Sequence, residues 1–286
     1  MKQPLRTAIM LMALAAAGQV FAEELASSQA QIQDKNAVNT TAIAMLAPQQ
    51  CFSSGSGWTF LKICITDNGN ISWFESPAGK IHLQNREGYA VCSNLKGANP
   101  ATVHGFDANI AANGWGTAVV SQPNGAGSLP LLITRQSLDG YVQLKQTFTI
   151  NSSQRGVDVR TDIKNISGVI LPSVVMTRYF DGDIDGATQN QAFFTAWGGS
   201  MWLQDTGKVW GLMLTGATST NVNFLWNVSK YANWDPFGVG AQNARGCNFD
   251  SVPFGSTGDF VGGLHMALGD LNPGQSKSFT LLYRRF

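Results

Sequence analysis

Hydrophobic and polar residues alternate most clearly in the middle of the chain. In Tyr141–Ile150, Val142, Leu144, Phe148 and Ile150 share one face, with Gln143, Lys145 and Thr147 on the other. Val157–Lys164 alternates more strictly, setting Val157, Val159, Thr161 and Ile163 against Asp158, Arg160, Asp162 and Lys164. A period of two with one charged face predicts antiparallel strands that cover a core on one side only. Asn151–Gly156 is a polar connection, and Asn165–Gly168 turns the chain into Val169–Phe180, which predicts a meander of three strands. Further strands are expected at Trp58–Thr66, Ile71–Glu75, Gly88–Ser93, Val209–Leu214, Asn223–Trp226, Phe260–Leu268 and Ser276–Arg285. Asp67-Asn68-Gly69-Asn70 reads as a hairpin turn, because Asn and Gly tolerate positive φ. Asn272-Pro273-Gly274 reads as a turn before the last strand, and glycine-rich Gly114–Gly127 reads as a loop. No segment beyond residue 50 keeps a helical period, and no repeat of blade length is visible. The expected fold is all-β: a large antiparallel two-sheet sandwich.

The run Leu138–Phe148, followed by Val157-Asp158-Val159-Arg160 and Lys164-Asn165-Ile166-Ser167, resembles the supersandwich domains of extracellular carbohydrate-active proteins. That resemblance covers roughly residues 130–185 and the closing strand, and it implies long antiparallel strands with, in some members, a sugar-handling concave face. It carries no catalytic motif onto this chain.

The first residues follow a different rule. Lys2 and Arg6 precede an almost unbroken apolar run, Thr7–Ala17, and Val20-Phe21-Ala22 offers a cleavage site, so residues 1–22 read as a signal peptide. The run is too short to span a bilayer, so no membrane insertion is expected after cleavage. Residues 23–50 lack aromatics and read as a flexible leader, leaving 51–286 as a single folded domain. The expected location is secreted or periplasmic. Removing Lys2 and Arg6 leaves 17 basic residues against 18 acidic, a net charge of about −1. That balance gives no electrostatic case for nucleic acid or an anionic membrane. In an oxidising compartment Cys51, Cys64, Cys92 and Cys247 are expected to form two disulfides, with three connectivities open. No C-x-x-C spacing supports zinc or redox chemistry.

Two features carry candidate chemistry. Asp181-Gly182-Asp183-Ile184-Asp185-Gly186 places three carboxylates at alternate positions before a glycine, the first half of a calcium-binding loop. The bidentate glutamate of a hand-type loop is missing, since Ala192 stands at its position, so calcium at Asp181, Asp183 and Asp185 would need ligands from elsewhere. The bland alternative is a solvated acidic turn. Trp197, Trp202, Trp210, Trp226 and Trp234 gather in one stretch with Tyr231 and several phenylalanines. Trp197, Trp202, Tyr231 and Trp234 are the candidate sugar-stacking rings, against the ordinary alternative of packing. Catalytic readings have less support: G-x-S-x-G, H-E-x-x-H and P-loop motifs are absent, and the only glutamates beyond residue 50 are Glu75 and Glu87. His104 with Asp107 is a candidate acid–base pair, whereas His265, inside an apolar strand, reads as a packed residue. The expectation is a non-catalytic exported sandwich that binds a glycan or cell-surface component. A polysaccharide hydrolase or lyase using aspartates in an aromatic groove is the first alternative, and a structural or adhesive surface protein the second.

Overall fold

The computed structural model describes residues 47–286 apart from 96–101, 110–111, 196–198, 208–209, 218–221, 231–246 and 248–251. The expected signal peptide and all but the end of the leader lie outside the described residues. Among the described residues there are strands and short 3-10 turns but no α-helix. The chain opens with β1 (Gln49–Ser54), β2 (Leu61–Thr66), β3 (Ile71–Glu75) and β4 (Ile81–Gln84). It continues through β5 (Glu87–Ser93), β6 (Thr102–Asp107), β7 (Ala112–Asn113), β8 (Val119–Ser121) and β9 (Leu131–Gln136). The long strands β10 (Val142–Asn151), β11 (Gly156–Asn165) and β12 (Leu171–Asp181) follow. Then come β13 (Asn190–Phe194), β14 (Ser200–Asp205), β15 (Gly211–Gly216) and β16 (Asn223–Lys230). The last are β17 (Thr257–Gly258), β18 (Phe260–Leu271) and β19 (Ser276–Arg285).

These strands form an antiparallel all-β sandwich. One sheet runs β17-β13-β14-β15-β19-β11-β10-β9-β8 and the other β16-β18-β12-β5-β6-β7. Beyond the two expected sheets there is a small third one, β1-β2-β3-β4, whose Ile63, Ile65, Ile71, Phe74 and Leu83 join the same core. The strand expected from Trp58 begins only at Leu61, because Gly57–Thr59 forms a 3-10 turn. Gly114–Gly127, expected as loop, contributes the short edge strand β8.

The middle of the chain shows one instructive departure. β10 and β11 pair as expected, Val142 opposite Asn165 and Asn151 opposite Gly156. β12 does not complete the meander; it pairs with β5 and β18 in the facing sheet, and β19 takes the place beside β11. The cause lies in β12 itself. Met176, Arg178 and Phe180 on one face and Thr177 and Tyr179 on the other are all buried, which suits a central strand covered on both sides rather than a half-exposed one. At the crossover Asn165 Nδ2 donates to the carbonyls of Val169 (2.7 Å) and Leu271 (2.9 Å), satisfying backbone that leaves one sheet for the other.

Both disulfides form. Cys51–Cys64 joins directly opposed residues of β1 and β2, and Cys92–Cys247 ties β5 to the last quarter of the chain. Ala90, Cys92 and Cys247 make a small second apolar cluster on the face of β5 turned away from the main core.

All three sheets meet at one buried ion pair. The Arg178 Nε donates to Glu87 Oε1 at 2.5 Å and to the Tyr283 hydroxyl at 3.0 Å. Its Nη1 reaches Gln146 Oε1 (2.9 Å) and its Nη2 the Gly69 carbonyl (2.9 Å). Glu87 also accepts from Tyr283 Oη (2.7 Å) and the Ile71 amide (2.9 Å). Gly69, in the β2–β3 turn, has φ +93, and a Cβ there would lie 2.8 Å from Gln146 Oε1, so this position needs glycine twice over.

Candidate functional site

The chain places the aspartate motif at the end of β12. Asp181 closes that strand, Asp183 precedes a 3-10 turn at Ile184–Gly186, and Asp185 lies inside the turn with φ 52. Gly182 is pressed against β14: a Cβ there would sit 2.2 Å from Leu203 Cδ1. Asp181 and Asp183 converge with Asp259, the residue just before β18, their ligand oxygens all within 4.8 Å of one another. Arg86 Nη1 pairs with Asp181 at 3.0 Å. Asp185 instead pairs with Lys80 at 2.8 Å. The third carboxylate of the cluster is thus Asp259, which local spacing does not reveal. It arrives because β18 pairs with β12, setting Asp181 opposite Val261. The chemistry fits a hard divalent cation, which takes carboxylate oxygens in flexible geometry.

Of the candidate rings, Trp202 lies in β14 between Met201 and Leu203, both buried in the core, so its indole points to the outer face of the nine-stranded sheet. Phe193 stands directly opposite on β13, stacked at 5.4 Å and 17°. Phe254 meets Phe193 edge-on at 5.3 Å, and Phe286 meets Trp202 edge-on at 6.0 Å. Met213 continues the line on β15 and Arg284 on β19, the guanidinium 3.3 Å from the Met213 sulfur. Trp197, Tyr231 and Trp234 lie outside the described residues. A second aromatic pair, Trp58 and Trp210, stacks at 5.4 Å with the Arg285 guanidinium 5.4 Å from the Trp210 ring.

The acid–base candidates are arranged differently from their sequence order. Asp107 does not pair with His104; it accepts from Arg135 Nη1 at 2.6 Å. His104 Nδ1 instead meets Asp139 at 2.7 Å, and its Nε2 meets Ser93 Oγ at 2.8 Å. A serine–histidine–aspartate line is the order of a nucleophilic triad. Ser93 and His104 are each only 1% exposed, and the other Asp139 oxygen accepts the Ser137 hydroxyl and the Tyr141 amide. The line therefore anchors the β9–β10 turn to β5 and β6, and the Ser93 hydroxyl is buried within it. Burial lowers His265 to about 4 and His82 likewise to about 4, so both are neutral near pH 7. Glu75 holds Trp73 Nε1 and the Gly79 amide, and Glu87, pushed up by burial, is locked on Arg178. An open depression of about 500 Å³ lies along β9, lined by Gly116, Thr134, Arg135, Gln136 and Leu138 among others. It holds no convergent carboxylates, and its Arg135 is committed to Asp107.

No family model and no curated protein sequence matches this chain. Solved structures do. A bacterial glucoamylase complexed with acarbose matches at TM-score 0.58 and 9% identity, over 84% of this chain and 32% of that one. A putative aldose 1-epimerase from Escherichia coli K12 matches at TM-score 0.49 and 13% identity, over 84% and 99% of the two chains. A mutant of the heparan sulfate lyase HepC from Pedobacter heparinus matches at TM-score 0.46 and 8% identity, over 84% and 35%. The chain spans about a third of the glucoamylase chain. At 9% identity the likeness to the glucoamylase is one of fold alone, a large antiparallel sandwich, with no specific family indicated.

Proposed function

We propose that this protein is an exported, non-catalytic β-sandwich that binds a glycan, with the outward rings of β13 and β14 as its stacking surface. The observation that carries this reading is the pair Phe193–Trp202, flanked by Phe254 and Phe286, on the outer face of the sheet. Aromatic rings offer an apolar face of fixed geometry at low conformational cost, which is what the apolar face of a pyranose ring needs. The fold likeness to a glucoamylase domain and the two disulfides support a sugar-related role in an oxidising compartment. Calcium held by Asp181, Asp183 and Asp259 is the cofactor of this reading, steadying the end of β12.

Oxidised protein lacking residues 1–22 is to be screened on an array of bacterial and plant oligosaccharides, beside Trp202→Ala and Trp202→Phe. The expected result is binding by the native chain, a loss of tenfold or more in the alanine variant and partial retention with phenylalanine. Binding indifferent to both substitutions would refute Trp202 as the platform, and no binding to any glycan would refute the function.

A further inference from the structure

The buried arginines of this protein follow one rule with one exception. Arg86, Arg135 and Arg178 each meet a carboxylate, at 3.0, 2.6 and 2.5 Å. Arg285, at the end of β19, is only 6% exposed and has no carboxylate partner among the described residues. Its Nη2 donates to the Trp58 carbonyl at 2.9 Å and its plane lies over Trp210, but Nη1 has no hydrogen-bond partner. The charges that act on this corner do not compensate it. Arg155 repels it, Lys80 is matched by Asp185, and the nearby His82 is neutral. A guanidinium withdrawn from water without a counter-charge is unfavourable, so an anion that reached Nη1 would relieve the cost.

What covers Arg285 is equally informative. Trp58 is 66% exposed, stacked on Trp210, and carried by the 3-10 turn Gly57–Thr59, which contains no buried residue. The corner also adjoins the outer aromatic surface. Phe286, next to Arg285, rests on Gly211, next to Trp210, so closely that a Cβ on Gly211 would lie 2.2 Å from its ring, and it touches Trp202 edge-on. Alternation along β19 sets Arg284 on the outer face in line with Met213 and Trp202 and turns Arg285 to the inner face opposite Leu212, so the Trp58–Trp210–Arg285 corner lies round the strand end from the outer rings, with Phe286 and Gly211 between them.

We infer that Trp58, Trp210 and Arg285 form a subsite for an acidic sugar, one bearing a carboxylate or sulfate, within the glycan-binding function proposed above, on which this inference rests. The pyranose ring stacks on the Trp58 indole, which makes way on its exposed turn, and the anion accepts from Arg285 Nη1. A planar fork of donors beside an aromatic face is suited to a planar carboxylate and to a sulfate.

The test is calorimetric titration of the oxidised protein with tetragalacturonate, a heparin-derived tetrasaccharide, cellotetraose and maltotetraose. At least one acidic tetrasaccharide is expected to bind tenfold or more tighter than either neutral one, with affinity falling as salt rises. Arg285→Met is expected to abolish that preference while leaving the thermal midpoint unchanged or higher, because it removes an uncompensated buried charge. A structural arginine would behave in the opposite way. Trp58→Ala, at an exposed position, gives the same loss of acidic binding without depending on how the first variant folds. Neutral and acidic sugars binding equally, or acidic binding untouched by both substitutions, overturns this inference and leaves the glycan reading standing. Failure of all four tetrasaccharides, together with an empty array, sinks both.

Discussion

Glu87→Gln tests whether the ion pair at the junction of the three sheets is structural. The substitution keeps the shape of the side chain and removes its charge, leaving the Arg178 guanidinium buried among Gln146, Gly69 and Tyr283. Both partners are fully withdrawn from solvent. Removing one member of such a pair costs about 3–5 kcal/mol, since the other charge is left without compensation. Arg178→Met leaves the carboxylate instead, which burial already pushes upward and which then takes up a proton. For a group raised in the folded state, stability is full below the unfolded value and lost as pH rises through the folded one. The methionine variant is therefore expected to be closest to native below about pH 4 and weakest near pH 8. The double variant should lose about 2 kcal/mol less than the sum of the singles, as coupled neighbours do. Urea unfolding of the four proteins at pH 5 and pH 8 measures all three quantities. A Glu87→Gln cost below about 1 kcal/mol, or additive single effects, would refute the claim that this pair joins the sheets.

Two further outcomes are expected. Millimolar calcium added after EDTA should raise the thermal midpoint by about 5–10 °C, from roughly 2.7 kcal/mol of linkage at one hundred times the dissociation constant. Asp259→Asn should abolish the rise and Asp185→Asn should not, since Asp185 pairs with Lys80; calorimetry giving the reverse order would restore the local loop as the site. His82 is held at about 4 against an ordinary 6.5, so its stabilising share is present above pH 6.5 and lost as pH falls towards 4, about 3 kcal/mol in full. His82→Gln should flatten the fall in melting temperature across that range, and an unchanged slope would assign the acid sensitivity elsewhere.

Period-two alternation made β10 and β11 legible because each covers core on one face and meets water on the other. It failed for the destination of β12. A strand buried on both faces loses the polar half of the pattern, and which sheet it joins depends on partners 80 or more residues away in both directions. The same limit governs the site. Asp181, Asp183 and Asp185 were visible as three spaced carboxylates, but the cluster takes Asp259, brought in by strand pairing, while Asp185 pairs with Lys80. His104 had an acidic neighbour in sequence, Asp107, and the fold gave it a different one, Asp139, because Arg135 on β9 claims Asp107. Trp202 was legible as a candidate ring, but only the burial of Met201 and Leu203 on either side fixes its outward direction.

The low charge content takes on meaning in this light. With 13% of residues charged, the protein uses three of its acids inside, Asp181 on Arg86, Asp107 on Arg135 and Glu87 on Arg178. The outer faces of β10 and β11 carry mixed charges, among them Lys145, Asp158, Arg160, Asp162 and Lys164, while β13 and β14 turn aromatic rings outward. Against that background Arg285 stands out as a cation the interior does not balance, placed beside an exposed tryptophan at the end of an aromatic surface. A fold that elsewhere supplies each buried guanidinium with its own carboxylate had room to do the same here. The absence of one at this corner, among the described residues, is why an acidic sugar is the better reading than a neutral one.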